Sequence, residues 1–179
     1  MVTIIFEAHG TSVDNEAGLS SGHFDVELSE LGRRQAKELG QRYEGENFGA
    51  VFCSDLRRSY ETAKIAFRGR NTIIIKDSRL RECDYGGLTR HSKEEVEGQK
   101  GNFVDKPFPS GESYQQTNQR MKFFLQDLLR NYTNKKVLII GHRATQYALD
   151  HYIKGVNLHE AVVAPWKWQP GWTYHLEKL

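Results

Sequence analysis

The sequence predicts an α/β protein of three layers, in which helices cover both faces of a mainly parallel β-sheet. Short apolar runs rich in β-branched and aromatic residues predict five strands. Longer segments, with apolar residues at helical spacing, lie between them. Strands that alternate with helices in this way form right-handed βαβ units, whose strands are parallel.

The predicted strands comprise residues 3–7, 50–53, 72–76, 137–140 and 172–176. The first four alternate with predicted helices and are expected to form the parallel part of the sheet. The fifth follows an irregular stretch near the end of the chain. We expect it to be an antiparallel edge strand.

The first predicted helix begins after Ser29, a residue type favoured at the N-cap position. Its apolar residues Leu31, Ala36, Leu39 and Tyr43 recur at steps of three to five, which is typical of a helix with one buried face. The segment 45–49, which begins and ends with glycine, is expected to be a loop.

Three further helices are predicted at residues 55–67, 113–132 and from His142 to about residue 153. The third helix of the chain has a buried stripe formed by Met121, Phe124, Leu125 and Leu128. The longest irregular stretch is 100–111, which contains two prolines. No internal repeat or low-complexity tract is present.

The bulk composition indicates an ordinary globular protein. The chain has 179 residues, 38% of them hydrophobic and 27% charged, and we expect one domain covering residues 1–179. A net charge of +2 argues against nucleic acid or an anionic membrane as the partner. No apolar run approaches the roughly 20 residues of a membrane span. Cys53 and Cys83 are not at CxxC spacing, so we expect free thiols and a cytoplasmic location.

Two histidines follow predicted strands at the same relative position. The run Val2 to Phe6 is followed by Glu7-Ala8-His9-Gly10, and the run 137–140 is followed by Gly141-His142-Arg143. In a parallel sheet both imidazoles would lie at one edge, where open α/β folds bind ligands. Because imidazole acts as acid, base or nucleophile near neutral pH, the pair indicates proton or phosphoryl chemistry.

A second feature indicates an anion site. Ser54 is expected to cap the helix after the second strand, which places Arg57 and Arg58 in its first turn. Positive charge at a helix N-terminus is unfavourable by roughly 0.3–1 kcal/mol, and a bound phosphate would compensate for it. The alternative is a solvated helix end with a salt bridge to Asp55 or Glu61.

Several short motifs occur together in one order along nearly the whole chain. They are His9-Gly10 with Ser12 and Asn15, then Gly22, Asp25, Leu28, Gly32 and Gln35-Ala36, then Ser54-Asp55-Leu56-Arg57-Arg58 with Glu61-Thr62-Ala63, then Leu80-Arg81-Glu82 with Tyr85-Gly86, then Gly111-Glu112-Ser113, and finally His142. In this order the motifs resemble those of the histidine phosphatase superfamily, the phosphoglycerate mutase-like proteins.

The resemblance implies a role for each of four residues. His9 would be the nucleophile that forms a phosphohistidine, Arg58 would bind the phosphate, and His142 would stabilise the charge on the transferring group. Glu82 would be the proton donor, unless Arg79 or Arg81 neutralises it in an ion pair. In that case Asp84 is the reserve acid. Arg57 is expected to face outward.

The resemblance also implies a set of substrate contacts. Gly10 is expected to let the backbone approach the ligand and donate N–H groups to it. The other expected contacts are Ser12, Asn15, Ser21, Gly22 and Tyr85, with Phe24 at the border of the phosphate site.

Two neighbours of the histidines depart from the family pattern. The family normally has arginine directly before the nucleophile, where this chain has Ala8, and a small residue after the second histidine, where this chain has Arg143. We therefore expect Arg143 to reach the phosphate from the other strand. The alternative is that Arg143 points to solvent.

The expected function is metal-independent hydrolysis of a phosphomonoester, carried by a small metabolite or a phosphoprotein, through phosphohistidine and without a cofactor. A phosphomutase is less expected because only about 25 residues separate Glu82 from Pro107, where the mutases have a longer insertion. The alternative class is a phosphate-binding or regulatory module weakened in catalysis by Ala8. No pair of histidines has the spacing of a helical metal site. The aromatic run 166–172 is expected to cover the sheet edge rather than line a pocket.

Overall fold

The computed structural model describes all 179 residues, and a five-stranded sheet forms its centre. The strands are β1 (Val2–Ala8), β2 (Ala50–Cys53), β3 (Ile74–Lys76), β4 (Lys136–Gly141) and β5 (Trp172–Leu176). They lie in the order β3-β2-β4-β1-β5. The first four are parallel, and β5 pairs antiparallel with β1 at the edge. The predicted α/β fold and its antiparallel edge strand are confirmed.

Helices cover both faces of this sheet. The seven helices are α1 (Val13–Glu16), α2 (Glu30–Arg42), α3 (Arg57–Ala66), α4 (Lys93–Gln99), α5 (Tyr114–Asn131), α6 (Arg143–Lys154) and α7 (Leu158–Val163). One face packs against α2 and α3, where Ile5, Leu138 and Leu39 share a buried cluster. The other face packs against α5 and α6 around Phe6 and Ile139.

A smaller cluster lies beside the main core and joins the short elements that the sequence did not predict. Phe108 is fully buried at its centre and contacts Tyr85, Phe103 and Tyr114. Residues of α4 and α7 complete it. This cluster fixes the segment between β3 and α5, which carries Glu82, against the N-terminal half of α6.

Two local expectations are corrected by the structure. Ser54 does not cap α3, because that helix begins at Arg57 with Leu56 as its N-cap. The irregular stretch after residue 100 begins with a short 3-10 helix, Lys100–Phe103.

Cys53 and Cys83 are free and buried. None of the helices is both long enough and apolar enough to cross a bilayer.

Candidate active site

A cavity of about 580 Å³ opens at the carboxyl ends of β1 and β4. Because these strands are adjacent and parallel, the residues that follow them meet at one edge, as the sequence predicted. All the expected site residues except Ser12 line this cavity: His9, Gly10, Asn15, Ser21, Gly22, Arg58, Glu82, Tyr85, His142 and Arg143. The two histidine rings lie with their centroids 4.9 Å apart.

His9 is held in one tautomer by its own neighbour. Its Nδ1 lies 2.7 Å from the carbonyl oxygen of Gly10, which can only accept, so Nδ1 carries the proton. The lone pair is therefore on Nε2. Burial, together with the charge of Arg58, lowers the pKa of His9 to about 3 and keeps the imidazole neutral. A neutral imidazole with a free Nε2 is a competent nucleophile.

Gly10 was expected to donate its N–H to a ligand, but it is required instead for close packing against α2. Its N–H donates to the hydroxyl of Thr62 at 3.0 Å and is not available to a ligand. A Cβ at position 10 would lie 2.5 Å from the carbonyl oxygen of Gly32 on α2. Gly10 therefore allows the loop after β1 to pack directly on the backbone of α2, which fixes the position of His9.

His142 is the N-cap of α6 and is buried. Its Nε2 lies 2.7 Å from the hydroxyl of Ser54, and its Nδ1 is buried without a hydrogen-bond partner. Burial, with Arg58 and His9 nearby, lowers the pKa of His142 well below its usual value. An unpartnered buried nitrogen is unfavourable by about 1–3 kcal/mol, and a ligand at this point would relieve that cost.

Arg58 is the buried cation of the cavity. Its guanidinium donates to the carbonyl oxygens of Gly22 at 2.8 Å and Phe24 at 3.1 Å, and no carboxylate pairs with it. Its charge therefore remains available to an anion. Arg57 is exposed and pairs with Glu27 and Glu61, so it faces outward as expected.

Glu82 is buried and makes no ion pair with either neighbouring arginine. Arg79 pairs with Asp77 and Asp127, and Arg81 pairs with Asp55. The alternative interpretation of Glu82 as a structural ion-pair partner is therefore wrong.

The carboxylate of Glu82 instead occupies the N-terminus of α6. Its oxygens accept from the backbone N–H groups of Cys83 at 2.8 Å and of Arg143 and Ala144 at 3.2 Å each. Arg120 on α5 holds the backbone of this segment by donating to the Glu82 carbonyl. The side chain is thus fixed at the wall of the cavity, beside His142.

Asn15 and Ser12 form the first turn of α1, and only Asn15 lines the cavity. The Oδ1 of Asn15 accepts from Ser12 N–H, which leaves its NH2 group as a donor for a ligand. Ser12 lies outside the cavity lining, since its hydroxyl is buried and accepts from Asn15 N–H. Ser21 donates its hydroxyl to Asp14 and so orders the loop that precedes Gly22.

Gly22 and Tyr85 form a close contact in the wall of the cavity. Gly22 has a φ of +50°, and a Cβ there would lie 3.1 Å from the Tyr85 ring. Asp84 does not line the cavity, since its carboxylate accepts from Gly86 N–H and lies near His23. It is poorly placed as a reserve acid. Phe24 also lies outside the cavity lining, and only its carbonyl contacts Arg58.

Arg143 lines the cavity and does not point to open solvent. Its Nη1 pairs with Glu97 of α4, and the guanidinium lies 5.6 Å from the centroid of Trp166. The Nε atom is buried without a partner.

The expectation for the aromatic run is wrong in part. Trp166 and Trp168 line the cavity, whereas Trp172 packs against Phe6 in the sheet. Sequence reasoning also missed Arg42, whose spacing from Leu39 on α2 places both on one helix face.

A family model that matches most of the chain shows which family it belongs to. A model of the histidine phosphatase superfamily, branch 1, matches residues 4–168. The chain belongs to this superfamily.

Individual histidine phosphatases and related proteins support this assignment. The chain is 32% identical to phosphoserine phosphatase 1 of Hydrogenobacter thermophilus, over 88% of this chain and 79% of that protein. It is 33% identical to a probable phosphoglycerate mutase, GpmB, of Cronobacter sakazakii, over 79% and 70% of the two chains. The structure of YhfR from Bacillus stearothermophilus superposes with a TM-score of 0.82, at 25% identity over 98% and 95%. The chain is an enzyme that hydrolyses phosphate esters.

Proposed function

We propose that this histidine phosphatase hydrolyses a small phosphomonoester through a phosphohistidine formed on Nε2 of His9. The observation that carries the proposal is the commitment of Nδ1 to the Gly10 carbonyl, which leaves Nε2 free in the same cavity as His142, Arg58 and Glu82. The four side chains supply a nucleophile, two charge-stabilising groups and a proton donor.

In the first step, Nε2 of His9 attacks phosphorus and the bond to the leaving oxygen breaks. Arg58 and the Nδ1–H of His142 stabilise the charge on the equatorial oxygens. Glu82 gives its proton to the leaving alkoxide, and the product is an alcohol.

In the second step, water attacks the phosphohistidine and the N–P bond breaks. The carboxylate of Glu82 accepts a proton from the attacking water. Inorganic phosphate leaves, and neutral His9 and protonated Glu82 are restored.

Position 8 distinguishes this chain from the pattern of its superfamily. We propose that the guanidinium absent at Ala8 is replaced by Arg143, which lines the cavity and has donors that Glu97 does not use. The weaker alternative is a phosphate-binding module, and Ala8 is the observation that favours it. Relatives named as phosphoglycerate mutases make phosphate relocation a further alternative.

The proposed function is tested by turnover on a panel of phosphomonoesters and by trapping acid-labile phosphate on the protein. His9→Ala is expected to abolish both, whereas His159→Ala, at an exposed histidine beside Asp105, is expected to preserve them. Turnover is also expected to persist in a metal chelator. Absence of His9-dependent turnover on every ester would overturn the hydrolase proposal, and movement of phosphate within phosphoglycerate without release would favour the mutase.

A further inference from the structure

The cavity extends beyond the residues that surround the phosphate position. A second part of it, here called the aromatic lobe, is bounded by α2, by the end of β1 and by the segment before β5. Its residues are Ala8, Glu38, Leu39, Arg42, Trp166 and Trp168. At about 580 Å³ the whole cavity is large enough for an organic leaving group as well as a phosphate.

Two indoles form one wall of the aromatic lobe. The Nε1 of Trp166 donates to Gln146 at 2.7 Å, which fixes the plane of that ring. Trp168 is 52% exposed and has the guanidinium of Arg42 at 5.9 Å from its centroid. A large aromatic side chain that remains this exposed inside a cavity is available for stacking.

Carboxylates pair with both arginines beside the two indoles, so the aromatic lobe does not favour a second anion. Arg143, 5.6 Å from the Trp166 centroid, pairs with Glu97. The guanidinium of Arg42 pairs at 2.6 Å with the buried carboxylate of Glu7, which neutralises it. Glu38 adds a further negative charge to the lining. An ester whose alcohol carries a carboxylate or another phosphate would therefore be disfavoured here, whereas an uncharged ring would not.

The small side chain at position 8 lines the cavity directly before His9. Alternate residues of a strand face the same side, so Ala8 shares the side of Phe6, which packs 5.6 Å from the ring of Trp172. Ala8 therefore lies on the side of the sheet where Trp172 and Trp166 pack together, with their ring centroids 6.0 Å apart. A long side chain at position 8 would extend into the cavity and reduce its volume.

We propose that the leaving group of the substrate carries a planar, uncharged aromatic or heteroaromatic ring that stacks on Trp168, as the base of a nucleoside monophosphate would. The inference rests on the proposed function, because it assigns the phosphate end of the same ester to His9 and Arg58. Ala8 is consistent with this inference, because a small side chain there leaves cavity volume for a ring.

The test compares two esters with the same type of primary leaving alcohol. AMP and ribose 5-phosphate both release a ribose 5-hydroxyl, and they differ in the base. The expected KM for AMP is about tenfold lower than for ribose 5-phosphate, which is within the range of base stacking on an aromatic side chain. Trp168→Ala is expected to remove this difference with little change in kcat, and Trp168→Phe to restore part of it.

Two further variants complete the comparison. Phe123→Ala removes an equally exposed ring on α5 that does not line the cavity, and it is expected to keep the preference for AMP. Ala8→Arg is expected to weaken the preference, because a long side chain there takes up part of the cavity. Equal KM values for the two esters, a preference that survives in Trp168→Ala, or a preference for phosphoserine over AMP would overturn the inference.

Binding separates a failure of this inference from a failure of the proposed function. The His9→Ala protein, which is expected not to turn over, is titrated with AMP and with ribose 5-phosphate by tryptophan fluorescence or calorimetry. Tighter binding of AMP that is lost on adding Trp168→Ala supports the ring site even if no ester is hydrolysed. Equal affinities would overturn it while leaving phosphatase activity on other esters intact.

Discussion

At the scale of single residues, Ser54 contacts the catalytic histidine His142 instead of capping α3, the role that its position in the sequence suggests. A serine between a strand and a helix resembles an N-cap, but here its hydroxyl lies 2.7 Å from Nε2 of His142. If Ser54 donates to Nε2, then Nδ1 carries the ring proton. Because Nδ1 is buried without a partner, that tautomer has an N–H ready for a phosphoryl oxygen.

Ser54→Ala is therefore expected to lower kcat, because His142 can then adopt the tautomer with a bare Nδ1. The expected loss is on the order of tenfold to a hundredfold, with a small change in KM. Steady-state kinetics on any accepted ester measure it. Ser113→Ala removes another buried hydroxyl, the cap of α5, and is expected to affect stability without affecting kcat. Equal kcat values for wild type and Ser54→Ala would contradict the assignment.

Arg143 gives a second prediction at this scale. If it replaces the guanidinium absent at position 8, Arg143→Ala should lower kcat/KM on the order of a hundredfold, since the developing charge loses a donor. Arg57→Ala, at the exposed arginine beside Arg58, is the matched control and should leave kcat/KM unchanged. Unchanged kinetics in Arg143→Ala would show that its pairing with Glu97 is purely structural.

The sequence identified the residues that follow strand ends, because strand order and direction alone bring them together. It could not show which partner each one chooses. Gly10, for example, donates to Thr62 rather than to a ligand, and Ser12 turns its hydroxyl to Asn15. Such contacts depend on the packing of α1 and α3 against the loop after β1, which no local pattern encodes.

At the scale of elements, the close approach of α2 to the loop after β1 positions the nucleophile. A Cβ on Gly32 of α2 would lie 2.0 Å from the carbonyl oxygen of Thr11. Since both contacting groups are backbone, neither can move without shifting the loop that holds His9. The close backbone contact between α2 and the loop after β1 therefore fixes both the helix and the nucleophile of the active site.

Gly32→Ala is expected to destabilise the protein by about 1–3 kcal/mol and to lower kcat as the loop shifts. Gly98→Ala is a matched control on α4, where an added Cβ meets nothing within 4 Å. It is expected to stabilise the protein by roughly 0.4–1 kcal/mol, because alanine has the better helix propensity and restricts the unfolded chain. Urea unfolding measures both, and similar effects of the two substitutions would contradict the packing argument.

Helices of two or more turns, and strands of about five residues, were predictable because a hydrophobic pattern is recognisable only over that length. Helix α5 and strand β5 were expected within one residue of their observed bounds. The short helices α1, α4 and α7 were missed, since four to seven residues show no period. Ser92 and Asn157 do cap α4 and α7, so the capping residues were the only usable signal.

At the scale of the whole molecule, the two histidines of the active site couple stability to pH. The pKa of His9 is lowered to about 3 and that of His142 is also well below 6.5, the value expected in the unfolded chain. Below pH 6.5 the unfolded state binds protons that the folded state does not. Stability is therefore complete above about pH 6.5 and falls as the pH decreases toward 3, by up to about 1.4 kcal/mol per pH unit for each histidine.

His9→Gln is expected to reduce this acid sensitivity by removing one of the two histidines. Between pH 7.5 and 5 the free energy of unfolding should fall by about 1–2 kcal/mol less in His9→Gln than in wild type. Urea unfolding at the two pH values measures the difference. His159→Gln, an exposed position on α7, controls for the loss of a histidine as such. An equal fall in the free energy of unfolding of wild type and His9→Gln between the two pH values would contradict a lowered pKa of His9.

The position of β1 between β4 and β5 also governs how the enzyme is made. Phe6 of β1 lies opposite Ile139 on one side and Trp172 on the other, and both partners come from the last third of the chain. During synthesis β1 leaves the ribosome long before β4 and β5, and it has no strand to pair with until they emerge. Contacts so distant in sequence slow folding and leave an unpaired apolar strand exposed in the meantime. Newly made chains therefore remain inactive, and prone to aggregation, until β4 and β5 have emerged and paired with β1.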